Sequence, residues 1–547
     1  MKVGFKILSN YCHYIFFTLF FVLGICIFKD FGFNIDESFH RRSGFYWLNF
    51  LSDFLNLENI SNISKEKFLS SNNDFTMPWG PYDKTYGLIF DVPAALIEII
   101  LNLDDPLKIY EMRHLLTFLY FFLGVVFFYK ILIDRFENKF IALLGCLLLV
   151  ATPRLFGDSF QNNKDIIFLC FFIISMYFYF QVTKGETYKS IILFSLFSAI
   201  ATSTRLFGLI FPISFFLIYV FSLLSNKKEI NNLEKILIYF FLYFLFLFLH
   251  WPYLWSNPIN NFFSIFNNLH SFGPPVVFFN DIYYNTKLVP YSYLTVWILI
   301  STPLTNLILT LLGLILILKV YINKLFNLEK STSKYDFWND KEEKSDFFVL
   351  LTFIIIFFAG TFFVTKHYNS WRIFYFLNFF FIYFAAYFVN EIFLNKRCKK
   401  YLNFFIALLI VFISFNFYRI YLYHPYQSLY FNSLLTKQFK NKFEVDFTGL
   451  SGIKFLRNIA KQDERENIKI GVNSWYPLWR MKELLSEEDK KRITIVHNNL
   501  DKADYIYSNR IYNVNKKISK KFKLDDKFIL DKKLIIDGII VYEVFKK

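Results

Sequence analysis

Asn34-Ile35-Asp36-Glu37-Ser38-Phe39-His40-Arg41-Arg42 follows the first long apolar segment, Tyr11 to Phe28, with only a short connector between. Two adjacent carboxylates, a histidine and two arginines therefore stand where the chain leaves a membrane. Carboxylates at such a boundary can serve as general bases or metal ligands. They can equally form a solvated helix start, where acidic residues complement the helix dipole. The surrounding chain has to decide between the two.

Of 547 residues, 55% are hydrophobic and 19% charged, and the apolar ones fall in long blocks. That segregation marks a membrane protein. Phe and Tyr number 77 and 36, alongside much Ile, Asn and Lys, which is the mark of codon bias rather than of an aromatic binding surface. The net charge of +16 reflects lysine in cytoplasmic loops and does not call for nucleic acid. The cysteines (Cys12, Cys26, Cys146, Cys170 and Cys398) show neither C-x-x-C nor zinc spacing. Lys2 and Lys6 precede the first block and no small-residue cleavage site follows it, as in a retained signal anchor.

A span needs about 20 mostly apolar residues, and about eleven candidates occur. They lie near 11–28, 114–133, 139–152, 166–182, 189–203, 206–224, 235–250, 293–319, 347–364, 372–392 and 402–422. The segments at 139–152 and 189–203 are short, so tilt or partial re-entry is expected there. Lysine and arginine collect in alternate connectors, including Lys130/Arg135/Lys139, Lys227/Lys228 and Lys396-Arg397. This side, with the N-terminus, is expected to be cytoplasmic. The polar 320–345 loop belongs to it and is expected to be mobile. The odd span count puts the C-terminal region outside.

The opposite connectors differ in kind. They include long outer loops at 29–110 and 250–292, the link from Thr152 to Asp165, and Lys366 to Arg372. Most of the eight histidines fall on this side or at its edge. So do the clusters Pro78-Trp79-Gly80-Pro81 and Trp251-Pro252-Tyr253-Leu254-Trp255. An interfacial aromatic belt explains the tryptophans, but not the histidines or paired carboxylates. Within 29–110, Phe45–Leu57 and Leu88–Leu101 read as amphipathic helices. The transmembrane domain is expected over 1–423. Residues 424–547 are expected to form a small α/β domain, with a hairpin turning at Asp537-Gly538. It has no Gly-rich phosphate loop.

Chemistry-bearing residues cluster on the outer side. Of Asp36 and Glu37, only one can face a substrate, leaving the other to hold His40 or an arginine. Between Thr152 and Asp165, the residues Arg154, Asp158, Lys164 and Asp165 are denser in charge than a connector needs. Arg154 and Lys164 can hold a lipid-borne phosphate. Alternatively Lys164 snorkels and Asp165 caps the next helix. Arg205 lies between two apolar blocks, where an unpaired charge is expensive. Arg372 stands at the outer end of a span, as a phosphate ligand or an interfacial anchor. No G-x-S-x-G, H-E-x-x-H or Walker sequence appears.

The ordered set of these features resembles the GT-C superfamily of glycosyltransferases. Within it the chain is similar to family 39, the protein mannosyltransferase and aminoarabinose transferase group. The likeness rests on Asp36-Glu37 in the long outer loop and on Pro153-Arg154-Leu155-Phe156 with Asn163-Lys164-Asp165-Ile166. It extends through Trp251-Pro252-Tyr253-Leu254-Trp255, Ser370-Trp371-Arg372, His424-Pro425-Tyr426-Gln427 and Phe443-Glu444-Val445-Asp446-Phe447. Asp158 stands where that group more often has His, and Phe447-Thr448 where Tyr-Trp is usual.

The resemblance implies an all-α polytopic membrane fold with a small extracytoplasmic α/β domain. It implies a polyprenyl-phosphate-sugar donor, an inverting displacement at the outer face of a bacterial-type inner membrane, and a lipid, glycan or protein acceptor. Asp36 would be the base and Glu37 would orient or share that role. Lys164, Arg205, Arg372 and Arg154 would bind donor phosphate, with His40, Asp158 and Asp165 in support. Some superfamily members use a divalent metal, and Asp36 with Asp158 could make such a site. Two rivals stay open. A transporter or flippase of lipid-linked glycans needs ionisable residues at the bilayer midplane. A non-catalytic assembly protein needs no convergence of Asp36 and Lys164.

Overall fold

The computed structural model describes residues 2–74, 85–185, 187–224, 232–271, 276–326, 337–364, 367–474, 476–496, 500–510 and 524–547. The Pro78–Pro81 cluster, Lys366 and residues 327–336 of the polar 320–345 loop lie outside these residues. Among them, eight helices are long and apolar enough to cross a membrane, or nine if one bent pair counts as a span. The chain is an integral membrane protein. All the expected apolar stretches are helical, but not all as full spans. Tyr11–Ile27 and Tyr188–Thr204 are shorter apolar helices. The 293–319 stretch breaks at Thr302-Pro303 into Ser292–Ser301 and Leu304–Phe326.

Burial separates the core of the bundle from its rim. The helix Asp165–Gly185 is 83% buried over its apolar window, whereas Leu233–His250 and Lys399–Tyr423 are only 22% buried. Lipid is as apolar as phenylalanine, so close packing rather than water exclusion holds the inner helices together. Phe172, Phe379 and Phe380 interlock edge to face there, and Phe376 packs at a tilt on Phe172. At the bundle end remote from the C-terminal region, Arg135 grips Asp346 through Nε at 2.8 Å and Nη2 at 2.5 Å. Tyr383 donates to the same carboxylate at 2.5 Å.

The break in the third apolar stretch has a clear cause. Lys139–Val150 and Pro153–Gln161 meet at 70°. Pro153 has no N–H to continue the ladder, and it opens the second helix at its first turn. Backbone polar groups freed inside a membrane protein need partners. Asn306 supplies them, donating to the Leu148 carbonyl at 3.2 Å and to Thr152 Oγ1 at 2.9 Å. The bend carries residues 153–165 across the end of the bundle.

On that end lie three helices of the first long connector: Ile35–Phe54, Glu58–Asp74 and Asp91–Ile100. The first begins ten residues earlier than its apolar pattern indicated, because Asn34 caps it. The Asn34 side chain accepts from the Asp36 N–H, and Glu37 accepts from the Asn34 N–H at 2.9 Å. The second connector forms the helix Pro258–Ser271 and an antiparallel pair, β1 (Val276–Phe279) and β2 (Ile282–Asn285).

Residues 424–451 run as a strap over the bundle end. Asn432 donates to the Leu299 and Thr302 carbonyls at 2.6 and 2.7 Å, satisfying the broken helix. The Glu444 N–H donates to Phe278, and the Thr448 carbonyl accepts from Ile35. Gly32 permits this contact, since a Cβ there would strike the Leu450 carbonyl. Beyond the strap, β3 (Ile468–Val472), β4 (Ile493–Val496), β5 (Tyr505–Ser508), β6 (Ile529–Ile536) and β7 (Ile539–Lys546) form one sheet, ordered β4-β3-β5-β7-β6. The β6–β7 turn is at Asp537-Gly538, with φ of 48° and 81°. Arg419, Tyr423 and Lys440 hold Asp537 and dock the hairpin tip on the bundle.

Candidate active site

Asp36 lies in the first turn of its helix, and Oδ2 meets Arg372 Nη1 at 2.6 Å. Its side chain is 42% accessible, although protein surrounds it on most sides, so it forms part of the wall of a recess. Burial raises its pKa, but the Arg372 guanidinium outweighs this, with help from His40 and Arg205, and holds the carboxyl below its ordinary value. Arg372 in turn lies over the Phe447 ring, 5.6 Å from its centroid. Phe447, from the strap, is one of the positions where this chain departs from its resemblance group.

Glu37, two atoms of backbone away, points elsewhere. Its carboxylate is fully buried, closes the capping box and faces His114 Nε2 at 3.2 Å. Of the two carboxylates, Glu37 is the one that turns away from Arg372: successive helical residues diverge by about 100°, and this one locks the helix start. Nor does it hold His40. His40 Nδ1 faces Asp91 at 3.4 Å, and Arg113 approaches the same aspartate at 4.0 Å. Arg41 is taken by Glu98 at 2.7 Å.

Lys164 is buried, with Nζ 3.1 Å above the centre of the Tyr86 ring. Burial holds its ammonium well below the usual lysine range, against the pull of Asp91 and Asp165. Among the described residues no carboxylate forms an ion pair with it. Arg205 is bonded to Asp165, whose other oxygen accepts from Asn162 at 2.9 Å. Asp165 does not cap its helix. Asn162 does, accepting from the Asp165 N–H at 3.1 Å. Tyr86 and Tyr368 both feel the charges of Asp36, Arg205 and Asp165, so these groups lie near one another.

Two expected ligands are held by other partners. Arg154 is almost fully buried, donates to the Tyr430 carbonyl at 2.8 Å and lies over Trp297 and Phe431. It pins the strap to the bundle, while its Nη1 finds no partner among the described residues. Asp158 accepts from Gln161 at 2.7 Å and Asn162 at 3.2 Å, bracing the turn before Lys164. Asp36 is engaged by a guanidinium and Asp158 by amides. Among the described residues, no group of three His, Cys, Asp or Glu side chains is disposed to hold an ion.

Tyr86, Asp91 and Tyr368 were not singled out by sequence, and Glu444 and Phe447 entered only through the resemblance. Tyrosines are too common here to stand out, and Asp91 is an ordinary helix start. Glu444 is buried, and its Oε2 finds no partner among the described residues. Burial pushes its pKa to about 8, although Arg372 pulls it down. A carboxyl raised above its unfolded value stabilises the fold fully below that value, and loses this as pH rises through the folded one. Thermal unfolding midpoints should therefore fall between about pH 4.5 and pH 8. Glu444→Gln should flatten that limb, and an unchanged slope would remove Glu444 as its source.

With the geometry established, likeness to other proteins can be placed on it. Residues 92–255 match the family model described as dolichyl-phosphate-mannose-protein mannosyltransferase. Over that region the chain resembles the family-39 transferases. The match contains Lys164, Asp165 and Arg205, while Asp36 and Arg372 lie outside it. No curated protein sequence matches the chain. Among solved structures, ArnT of Cupriavidus metallidurans bound to undecaprenyl phosphate is 11% identical, with a TM-score of 0.46. That alignment covers 98% of this chain and 98% of that one. The oligosaccharyltransferase AglB of Archaeoglobus fulgidus, solved with an inhibitory peptide and a dolichol-phosphate, is 11% identical, with a TM-score of 0.45. It covers 92% of this chain and 70% of that one.

Proposed function

We propose that the protein is a membrane glycosyltransferase that moves a sugar from a polyprenyl-phosphate donor to a hydroxyl acceptor, at the bundle end that faces away from the cytoplasm. The observation that carries this is the recess where Asp36 meets Arg372 beside Lys164 and the Arg205–Asp165 pair. The lipid tail of such a donor needs an apolar bundle, its phosphate needs cations, and its acceptor needs a base. The family match over residues 92–255 supports the same class. A non-catalytic assembly protein has no use for an Asp36–Arg372 pair at the same end of the bundle as Lys164 and Arg205.

In the chemistry, Asp36 takes the acceptor O–H proton as that oxygen bonds the anomeric carbon. The carbon–oxygen bond to phosphate breaks, and its electron pair leaves with the polyprenyl phosphate. Lys164 and Arg205 stabilise the charge gathering on the phosphate oxygens. Asp36 paired to Arg372 is a weak base. A donor phosphate that competes for Arg372 relaxes this pairing and lets the Asp36 pKa rise toward the ordinary carboxylate range. The same phosphate favours the protonated ammonium of Lys164.

Incubation with a panel of polyprenyl-phosphate sugars and candidate acceptors tests the assignment, since transfer to at least one acceptor is required. Lys164→Gln should raise the donor KM roughly ten- to hundredfold, the value of a charge-assisted hydrogen bond. An unaltered donor KM would place the phosphate elsewhere.

A further inference from the structure

The C-terminal sheet has its own ligand geometry. The chain passes from β3 to β4 on one side of β3, then returns to β5 on the other, and β3 pairs in parallel with both. In open α/β sheets, ligands bind outside the carboxyl ends of the strands where the order reverses. Here that point lies between β3 and β5, at Asn473-Ser474 and Ser508-Asn509. The two ends are tied together: the Asn473 N–H donates to Tyr507 at 2.8 Å, and Ser508 Oγ donates to the Asn473 carbonyl at 3.3 Å.

Asn473 and Ser474 are 5% and 3% exposed, and neither Asn473 Oδ1 nor Ser474 Oγ finds a partner among the described residues. Buried polar atoms rarely stay unpaired without a reason. Asp446 borders them, its carbonyl accepting from Asn509 at 3.3 Å and its Oδ2 from Ser451 at 2.6 Å.

The cluster reaches the recess by two short paths. Asp446 precedes Phe447, which carries the Arg372 guanidinium. The loop after β3 leads into the helix Leu478–Lys482, whose Arg480 reaches Ser38 Oγ at 3.2 Å, two residues from Asp36.

Resting on the transferase assignment, we infer that the ends of β3 and β5 border a crevice, that this crevice is the acceptor subsite, and that it takes a sugar ring of a glycan or glycolipid acceptor. Neutral amide, hydroxyl and carboxyl groups gathered at one point suit a ring bearing hydroxyls in several directions. A peptide backbone would instead need a run of main-chain partners along a strand edge.

The test is saturation-transfer NMR on the full-length protein in lipid nanodiscs. The probes are the methyl glycosides of glucose, mannose and N-acetylglucosamine, with a blocked Ala-Ser-Ala peptide alongside. At least one glycoside should receive saturation, and Asn473→Ala/Ser474→Ala should weaken its binding about tenfold. Ser474→Ala, which removes a single oxygen, should give a smaller loss and guards against misfolding of the double variant. Asp36→Asn should keep glycoside binding while losing transfer. No glycoside signal, a signal indifferent to both crevice variants, or a signal from the peptide alone would overturn the assignment. Transfer without glycoside binding would remove the crevice only. Glycoside binding without transfer from any donor would count against the transferase assignment instead.

Discussion

Asp36→Asn should lower kcat about 10²- to 10⁴-fold while leaving the donor KM within a few-fold of wild type, the usual cost of losing a positioned base. The amide keeps the side chain's size and can still accept from Arg372, so the recess should survive. The pH profile adds a second check. Activity needs the carboxylate, so it falls as pH falls through the Asp36 pKa. In the free protein Arg372 holds that value below the ordinary range, so the acid limb of kcat/KM should lie low. Once donor phosphate draws on Arg372, the base strengthens, and the acid limb of kcat should lie at higher pH. Coincident limbs would show that Arg372 stays with Asp36 throughout. Equal turnover in Asp36→Asn and wild type would remove Asp36 as the base.

Arg205→Ala should destabilise the protein by about 3–5 kcal/mol, because it leaves the Asp165 carboxylate buried without its cation. Arg205 and Asp165 are 14% and 2% exposed, so water cannot take over from the missing partner. Removing the stranded charge as well, in Arg205→Ala/Asp165→Asn, should restore most of that stability, measured as thermal unfolding in one detergent. Function should not return with it. The double variant still lacks a cation for the donor phosphate, so its donor KM should stay raised. Recovery of both together would make Arg205 a structural partner of Asp165 and nothing more.

The apolar blocks alone reveal a polytopic membrane protein, because twenty-residue apolar runs have few other uses. Strands β3 and β4 and the Asp537-Gly538 turn are equally legible, since alternation and a left-handed turn are local properties. The break at Pro153 was visible only as a short span, because the Asn306 side chain that makes the bend tolerable lies far along the chain. The residues of the recess were legible as a group, since charge beside apolar blocks is conspicuous.

Their division of labour was not legible. Asp36 and Glu37 are neighbours of one chemical type, and only the helix start imposed by Asn34 turns one to the recess and the other to His114. Arg154 and Lys164 come from one connector, yet the strap that buries the first leaves the second over Tyr86. Sequence by itself determined the membrane class, the local elements and the stock of charged residues, which depend on composition and short-range pattern. Which carboxylate meets Arg372, and which cations stay clear of buried partners, was decided by tertiary structure. Those roles follow from partners more than a hundred residues away, such as Gln161 on Asn34 and Arg372 on Asp36.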